Sequence, residues 1–215
     1  MLNIDNYRKV WGFKDKSGIL IIISGPSGVG KGTIVNEIIK IFNGDVVKSI
    51  SVTTRKPRFN EKEGIDYFFK SIEEFSSLIE KDLLLEYACV FGGKLYGTPK
   101  DYVEQKLKEG KNVILEIDVQ GALQVKRKFK DCVSIFVLPP NFLELEKRLR
   151  ERKTEDEESI HNRLAIAHKE LKSIYNYDYV IINDDLKYSI DCIRSIIIAE
   201  HCKINRNLKE LNNDG

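Results

Sequence analysis

The sequence predicts an α/β fold, a parallel sheet flanked by helices, with an inserted and mainly antiparallel module. Three observations carry this. Apolar runs of strand length alternate with amphipathic helical patterns in the first and last parts of the chain. The first run opens directly into the glycine-rich stretch "ISGPSGVGKGT" at 23–33. Residues 49–98 instead hold short strand-like runs separated by turn-rich pieces such as "KPRFNEKEG".

Residues 1–18 are mixed and give no element, and Trp11 and Phe13 are assigned no role. The first strand is expected at 19–24. A helix is expected at 31–42, with Ile34, Val35, Ile38, Ile39 and Phe42 on one face and Asn43-Gly44 as its stop. The inserted stretch offers the strands "SISVTT", "IDYFF" and "LLLEYACVF". It also offers one short helix starting at Ser71, where Glu74 completes a capping box. A helix at 99–109 begins with Pro99 in its first turn. "NVILEIDV" is a continuous apolar strand, as a parallel sheet covered on both faces requires. Then follow a helix at 120–128, the strand "VSIFVL" stopped by Pro139-Pro140, and a helix capped by Asn141 with Glu144 three residues on. "KTEDEES" is a charged break. A helix at 157–175, the strand "YVIIN" and a helix at 186–202 complete the order, and "NRNLKELNNDG" is expected to fray.

A chain of 215 residues suits one α/β domain with a small inserted module. Apolar residues make up 42% and charged residues 32%, enough for a sizeable core under a charged surface. A net charge of +2 lacks the strongly basic balance of a nucleic-acid holder, so no nucleic-acid partner is expected, although a local basic pocket for phosphates remains open. The four cysteines at 89, 132, 192 and 202 contain no C-x-x-C pair. Buried or half-buried thiols in a reducing cytosol are expected rather than a zinc site. No apolar run approaches the ~20 residues of a membrane span, and no signal peptide is visible, so the expected location is cytoplasmic with no membrane partner.

The glycine loop follows the pattern G-x-x-x-x-G-K up to its final hydroxyl position. There stands Gly32, and a hydroxyl arrives one residue late at Thr33. Gly25, Gly28 and Gly30 let the backbone turn its N–H groups towards an anion at the helix N-terminus, and Lys31 can reach the outer phosphates. A chance glycine turn would lack a strand directly before it and an amphipathic helix directly after. The loop signals nucleotide phosphate binding, not a reaction. Magnesium favours six oxygens and keeps several waters, so a water can take the place of one hydroxyl. Gly32 therefore counts against a GTPase-style site, as does the absence of an N-K-x-D signature, and fits a kinase whose metal is held by nucleotide and water. Thr33 is expected to meet the α-phosphate instead.

A second site is suggested by "SVTTRKPRFNEKEGIDY". Arg55 and Arg58 flank a proline turn and Tyr67 follows, so two guanidinium groups and a phenol can grip one phosphate. A solvated basic turn is the plainer alternative. Glu86 and Asp118 interrupt very apolar runs, and buried carboxylates need partners. An internal salt bridge would satisfy them. So would guanine, whose N1–H and N2–H donors lie side by side, whereas adenine offers no such pair. Tyr96 and Thr98 in "GGKLYGT" either line the same cavity or belong to an ordinary turn. Arg148 and Arg152 share a helix face, and Arg163 lies beyond the charged break. They read either as a lid over a transferring phosphoryl group or as solvated surface arginines.

In order, "SGPSGVGKGT", "SVTTRKPR", "GIDYFF", "LLEYACVFGGKLYGT", "ILEIDVQG", "RLRERKTEDEESIHNRL" and "VIINDDL" resemble the guanylate kinase family over about residues 18–199. The resemblance implies a nucleotide-binding core of residues 19–48 and 99–202 with a helical lid at about 141–165. It implies a GMP-binding insertion at 49–98, and extensions at 1–18 and 203–215. It implies ATP and GMP as substrates, magnesium entering with ATP, a role in purine nucleotide salvage and GTP supply, and a monomer or homo-oligomer.

ATP would be held by Gly25, Pro26, Ser27, Gly28, Val29, Gly30, Lys31, Gly32, Thr33 and Asn183. GMP would be held by Ser51, Arg55, Arg58, Tyr67, Glu86, Tyr96, Thr98 and Asp118, and the catalytic set would be Lys31, Arg148, Arg152 and Arg163. No residue is expected to bind the metal directly. Glu116 stands where the family often has aspartate and would approach magnesium through water. Gly32 in place of serine, and Lys153 in place of a glycine, are the other departures. The alternative reading is a catalytically inactive guanylate-kinase-like binding module, against which the intact loop lysine counts. A kinase for a different base is the second.

Overall fold

The computed structural model describes residues 17–90, 93–151 and 157–207. Its centre is a five-stranded parallel sheet. The strands are β1 (Leu20–Ser24), β2 (Val46–Lys48), β7 (Asn112–Glu116), β8 (Val133–Leu138) and β9 (Tyr179–Ile182), arranged β2-β7-β1-β8-β9. Beside it, β3 (Ser51–Thr53), β4 (Tyr67–Phe69), β5 (Leu84–Val90) and β6 (Lys94–Pro99) form a second sheet in the order β4-β3-β6-β5. Two of its three pairings are antiparallel, and β3 with β4 is parallel.

Every residue of β1 is buried, which explains its unbroken apolar run from Leu20 to Ile23. Side chains alternate across the sheet. Ile21 and Ile23 face one side, with Ile34, Val35 and Ile38 of α1 (Lys31–Phe42), Leu145 and Leu149 of α5 (Phe142–Glu151), and Ile193 and Ile197 of α7 (Leu186–His201). Leu20 and Ile22 face the other, with Val103 and Leu107 of α3 (Lys100–Lys108) and Ala122 and Val125 of α4 (Val119–Lys128). Each buried valine, leucine or isoleucine among these contributes roughly 1.5–3 kcal/mol. A third cluster of Val52, Phe75 and Leu84 seats α2 (Ile72–Glu80) on the smaller sheet.

Helix boundaries follow local chemistry. Ser71 accepts from the Glu74 amide while Glu74 takes the Ser71 amide, forming the expected capping box. The Glu144 amide donates to Asn141 Oδ1 at 2.8 Å. Asn43 ends α1 in the left-handed region at φ 41°.

Four features differ from the sequence expectations. β2 is a strand that the sequence did not announce. The helix expected at 157–175 is α only as α6 (Glu157–Glu170) and continues as a 3₁₀ stretch over Leu171–Asn176. Part of the expected fraying tail forms the turn α8 (Ile204–Asn207), where the Arg206 Nη1 donates to Asp131 Oδ2 at 2.8 Å. Cys89 and Cys202 are exposed rather than buried, because each sits outside the packed faces. No helix among the described residues is long and apolar enough to cross a membrane.

β5 is an edge strand. The Tyr87 N–H donates to Gln124 Oε1 at 3.2 Å, and Gln124 Nε2 donates back to the Tyr87 carbonyl at 2.8 Å. Lys128, one turn further along α4, donates to the Leu84 carbonyl and to Asp82. Through these contacts β5 rests on α4, one of the helices covering the larger sheet.

Candidate functional site

Parallel sheets gather ligands beyond the carboxyl ends of their strands. At that end β1 runs into the glycine loop, β7 ends at Glu116, and β9 runs into Asn183. Gly25 has φ 137°, and a Cβ there would stand 2.2 Å from the Val137 carbonyl oxygen, so only glycine fits. Gly30 is the N-cap of α1 at φ 93° with no side-chain cap and no acidic residue in the first turn. The first-turn amides therefore point at the loop without competition from a side chain.

The loop is strapped from behind. Asn183, buried at 6% exposure, donates from Nδ2 to the Val29 carbonyl at 2.7 Å and accepts from Ser189 Oγ at 3.1 Å. Lys31 Nζ lies over the loop and donates to the Gly25 and Pro26 carbonyls at 2.6 and 2.9 Å. Arg163 Nη1 donates to Ser27 Oγ at 2.5 Å. Arg148 donates from Nε to Glu144 at 2.9 Å and from Nη1 to the Asn183 carbonyl at 3.2 Å. Thus two of the three arginines singled out in the sequence reach the loop or its strap. Arg152 and Lys153 lie outside the described residues.

A cleft of about 430 Å³ runs from this loop to the smaller sheet. Gly25, Ser27, Lys31 and Glu116 line one end, and Ser51, Tyr67, Glu86, Tyr96 and Asp118 the other. Glu86 is 4% exposed and accepts from Thr98 Oγ1 at 2.6 Å. Burial pushes its carboxyl up to about 7, the Thr98 bond opposes this, and the nearby Asp118 charge adds to it. Asp118 also caps α4, accepting from the Gly121 amide at 2.8 Å. A Cβ on Gly121 would meet Glu86 Oε2 at 2.7 Å, so that glycine opens the space in which the carboxyl sits. No internal salt bridge takes either carboxyl among the described residues, and Glu86 is left facing a cleft.

Arg55 contacts two of the lining residues, Tyr67 and Tyr96. Its Nε donates to the Tyr96 hydroxyl at 3.0 Å, its Nη2 to Glu61 at 2.8 Å, and its guanidinium stands 5.3 Å from the centre of the Tyr67 ring. Glu61 holds Arg55 firmly charged, and in return the Glu61 carboxyl lies below its ordinary range. Arg58 is exposed, and its backbone N–H bonds Glu61. Thr33 is exposed in the first turn of α1. Sequence reading missed Glu61, Lys48 and Glu170. Glu61 had a signal, an acid six residues after an arginine across a proline turn. Glu170 had none, being one acid in a charged helix. It lines the cleft, and burial holds its carboxyl above its ordinary range.

Magnesium suits the donors present. Glu116 offers hard carboxylate oxygens beside the loop, a donor type that suits a magnesium ion arriving with phosphates and waters. A larger hollow of about 720 Å³ along β9 and α7 is lined mostly by aliphatic side chains and lacks converging charges.

The family model described as guanylate kinase matches residues 17–200. The chain is 52% identical over 192 residues to a guanylate kinase of Caldanaerobacter subterraneus subsp. tengcongensis, covering 89% of this chain and 92% of that relative. It is 49% identical over 193 residues to one of Bacillus cereus, covering 90% and 94%. The crystal structure of guanylate kinase from Anaplasma phagocytophilum superposes with a TM-score of 0.72 at 36% identity, covering 90% of this chain and 91% of that one.

Proposed function

The chain belongs to the guanylate kinase family, and on that premise we propose that it transfers the γ-phosphoryl group of ATP to GMP, giving ADP and GDP. The observation that carries this reading is the single cleft joining Lys31 and the glycine loop to a buried, outward-facing Glu86. One end suits a triphosphate and the other suits a guanine base.

The acceptor is a phosphate oxygen of GMP, already anionic at neutral pH. It forms a bond to the γ-phosphorus as the bond to the bridging oxygen of ADP breaks, so no side-chain base is needed. Catalysis is then positioning and charge stabilisation. In this reading Lys31 leaves the Gly25 and Pro26 carbonyls for the phosphates. Arg148, Arg152 and Arg163 gather on the moving phosphoryl group from the lid at about 141–165. Arg55, Arg58, Tyr67 and Tyr96 aim the acceptor, and Glu86 reads guanine N1–H and N2–H with Ser51, Thr98 and Asp118 beside it. Asn183 supports the adenine end, and Gly25 to Thr33 cradle the phosphates. Magnesium bound with ATP would neutralise charge on the phosphate oxygens, with Glu116 near its waters. The insertion at 49–98 and the lid close on the core at 19–48 and 99–202 and exclude water, which would otherwise take the phosphoryl group. A cytoplasmic enzyme of purine salvage and GTP supply is the cellular role this chemistry serves.

A coupled ADP-release assay with ATP and a panel of nucleoside monophosphates tests the reading. GMP-dependent turnover is expected. Tight GMP binding without turnover would favour the inactive binding module, and turnover with AMP or UMP in place of GMP would reassign the base.

A further inference from the structure

Gly32 has no backbone reason to be glycine. It lies in the first turn of α1 and is absent from the positive-φ residues, and glycine weakens a helix relative to almost any other residue. What surrounds it supplies the reason. A Cβ at this position would stand 3.3 Å from Glu116 Oε1 and 3.8 Å from Oε2. The carboxylate of Glu116, at the end of β7, leans into the space that a longer side chain at 32 would fill. Lys48 Nζ at the end of β2 holds Glu116 Oε2 at 2.5 Å, which turns Oε1 towards the loop.

Resting on the kinase reading above, we propose that Gly32 and Glu116 form a matched pair. The glycine vacates a side-chain volume, and the Glu116 carboxylate enters it to orient the water shell of the nucleotide-bound divalent cation. A loop hydroxyl at 32 would ligate that ion directly, and in its place a water, oriented by Glu116, completes the shell. Glu116 is here a positioning residue, acting on the ion's waters rather than on the reacting atoms. The pair is a property of this chain's own geometry. A serine at 32 with Glu116 retained would crowd the carboxylate, and an aspartate at 116 with Gly32 retained would leave the volume empty.

A double-mutant cycle decides it. The affinity of Mn²⁺ for the protein with saturating ADP is read from the electron paramagnetic resonance signal of free Mn²⁺, independently of turnover. Gly32→Ser and Glu116→Asp are each expected to weaken Mn²⁺ about tenfold. The double variant is expected to return to within about threefold of the unaltered protein. Losses that simply multiply in the double variant would overturn the pairing. Gly32→Ala, which supplies the Cβ without a hydroxyl, is the second variant. It should weaken Mn²⁺ when Glu116 is retained and not in the Glu116→Asp background, and an equal loss in both backgrounds would also overturn it. Pairwise rescue in a protein with no GMP-dependent turnover would sink the kinase reading while upholding the pair. Normal turnover with multiplying losses would do the reverse.

Discussion

Replacing Glu86 with glutamine separates what this carboxyl does to the fold from what it does for the acceptor. Its burial raises it from 4.5 to about 7 in the folded protein. Between those values the folded state holds more protons than the unfolded state. The stability associated with the group is therefore fully present below about pH 4.5 and is lost as pH rises through about 7. At ~1.4 kcal/mol per pH unit, ionising it in place costs the fold about 3 kcal/mol. Glu86→Gln removes that cost and keeps a partner for Thr98. At roughly 2–4 °C per kcal/mol for a chain of this size, the variant should melt about 6–12 °C higher at pH 8.5, with the difference shrinking towards pH 5.

GMP responds in the opposite sense, because an acceptor of both guanine donors must be ionised. With a value near 7, GMP affinity should fall about tenfold between pH 8 and pH 6 beyond the change that GMP's own phosphate brings. Calorimetric titration of unaltered protein and variant at both pH values cancels the phosphate contribution, and the variant should bind GMP weakly with no such extra slope. A melting difference that does not change between pH 5 and 8.5, or parallel GMP profiles for the two proteins, would refute the assignment.

Other substitutions have equally definite outcomes. Lys31→Ala should cost about 10³-fold or more in turnover with ADP release as the readout, and near-normal rates would remove this lysine from the site. Gly25→Ala places a Cβ 2.2 Å from the Val137 carbonyl at φ 137°. It should destabilise by about 3 kcal/mol or more in urea melts, and a change within ~1 kcal/mol would contradict the packing described. Ser71→Ala breaks the capping box of α2 and should cost about 1 kcal/mol by the same measurement, with no change in ATP affinity.

The sequence made the larger sheet legible because its strands carry strong local signals. Leu20–Ser24 is unbroken and buried throughout, and the α1 face repeats at helical spacing. Val46–Lys48 was not legible, since three residues with one fully buried side chain carry no periodicity. The 3₁₀ stretch at Leu171–Asn176 continues a helical pattern whose change of pitch no single residue marks. At the site, Glu86 and Asp118 stood out because each interrupts an apolar run. Lys48 did not, because its contact with Glu116 spans 68 residues and exists only once β2 pairs with β7. Arg55 was legible as a cation, whereas its tethering by Glu61 and Tyr96 depends on a turn whose shape the sequence leaves open.

The amide of Gln124 meets the free edge of β5 as a neighbouring strand would, giving and taking one hydrogen bond at Tyr87. An exposed strand edge invites another molecule to add to it. Here a side chain from α4 occupies the position such an intruder would need, with Lys128 closing the Leu84 carbonyl further along. Leu85 of the same strand is buried in one cluster with Leu20, Ile22 and Ala122, so β5 is held against α4 by apolar packing as well as by these hydrogen bonds. The Tyr87 amide and carbonyl and the Leu84 carbonyl are therefore not open to a strand of a second molecule.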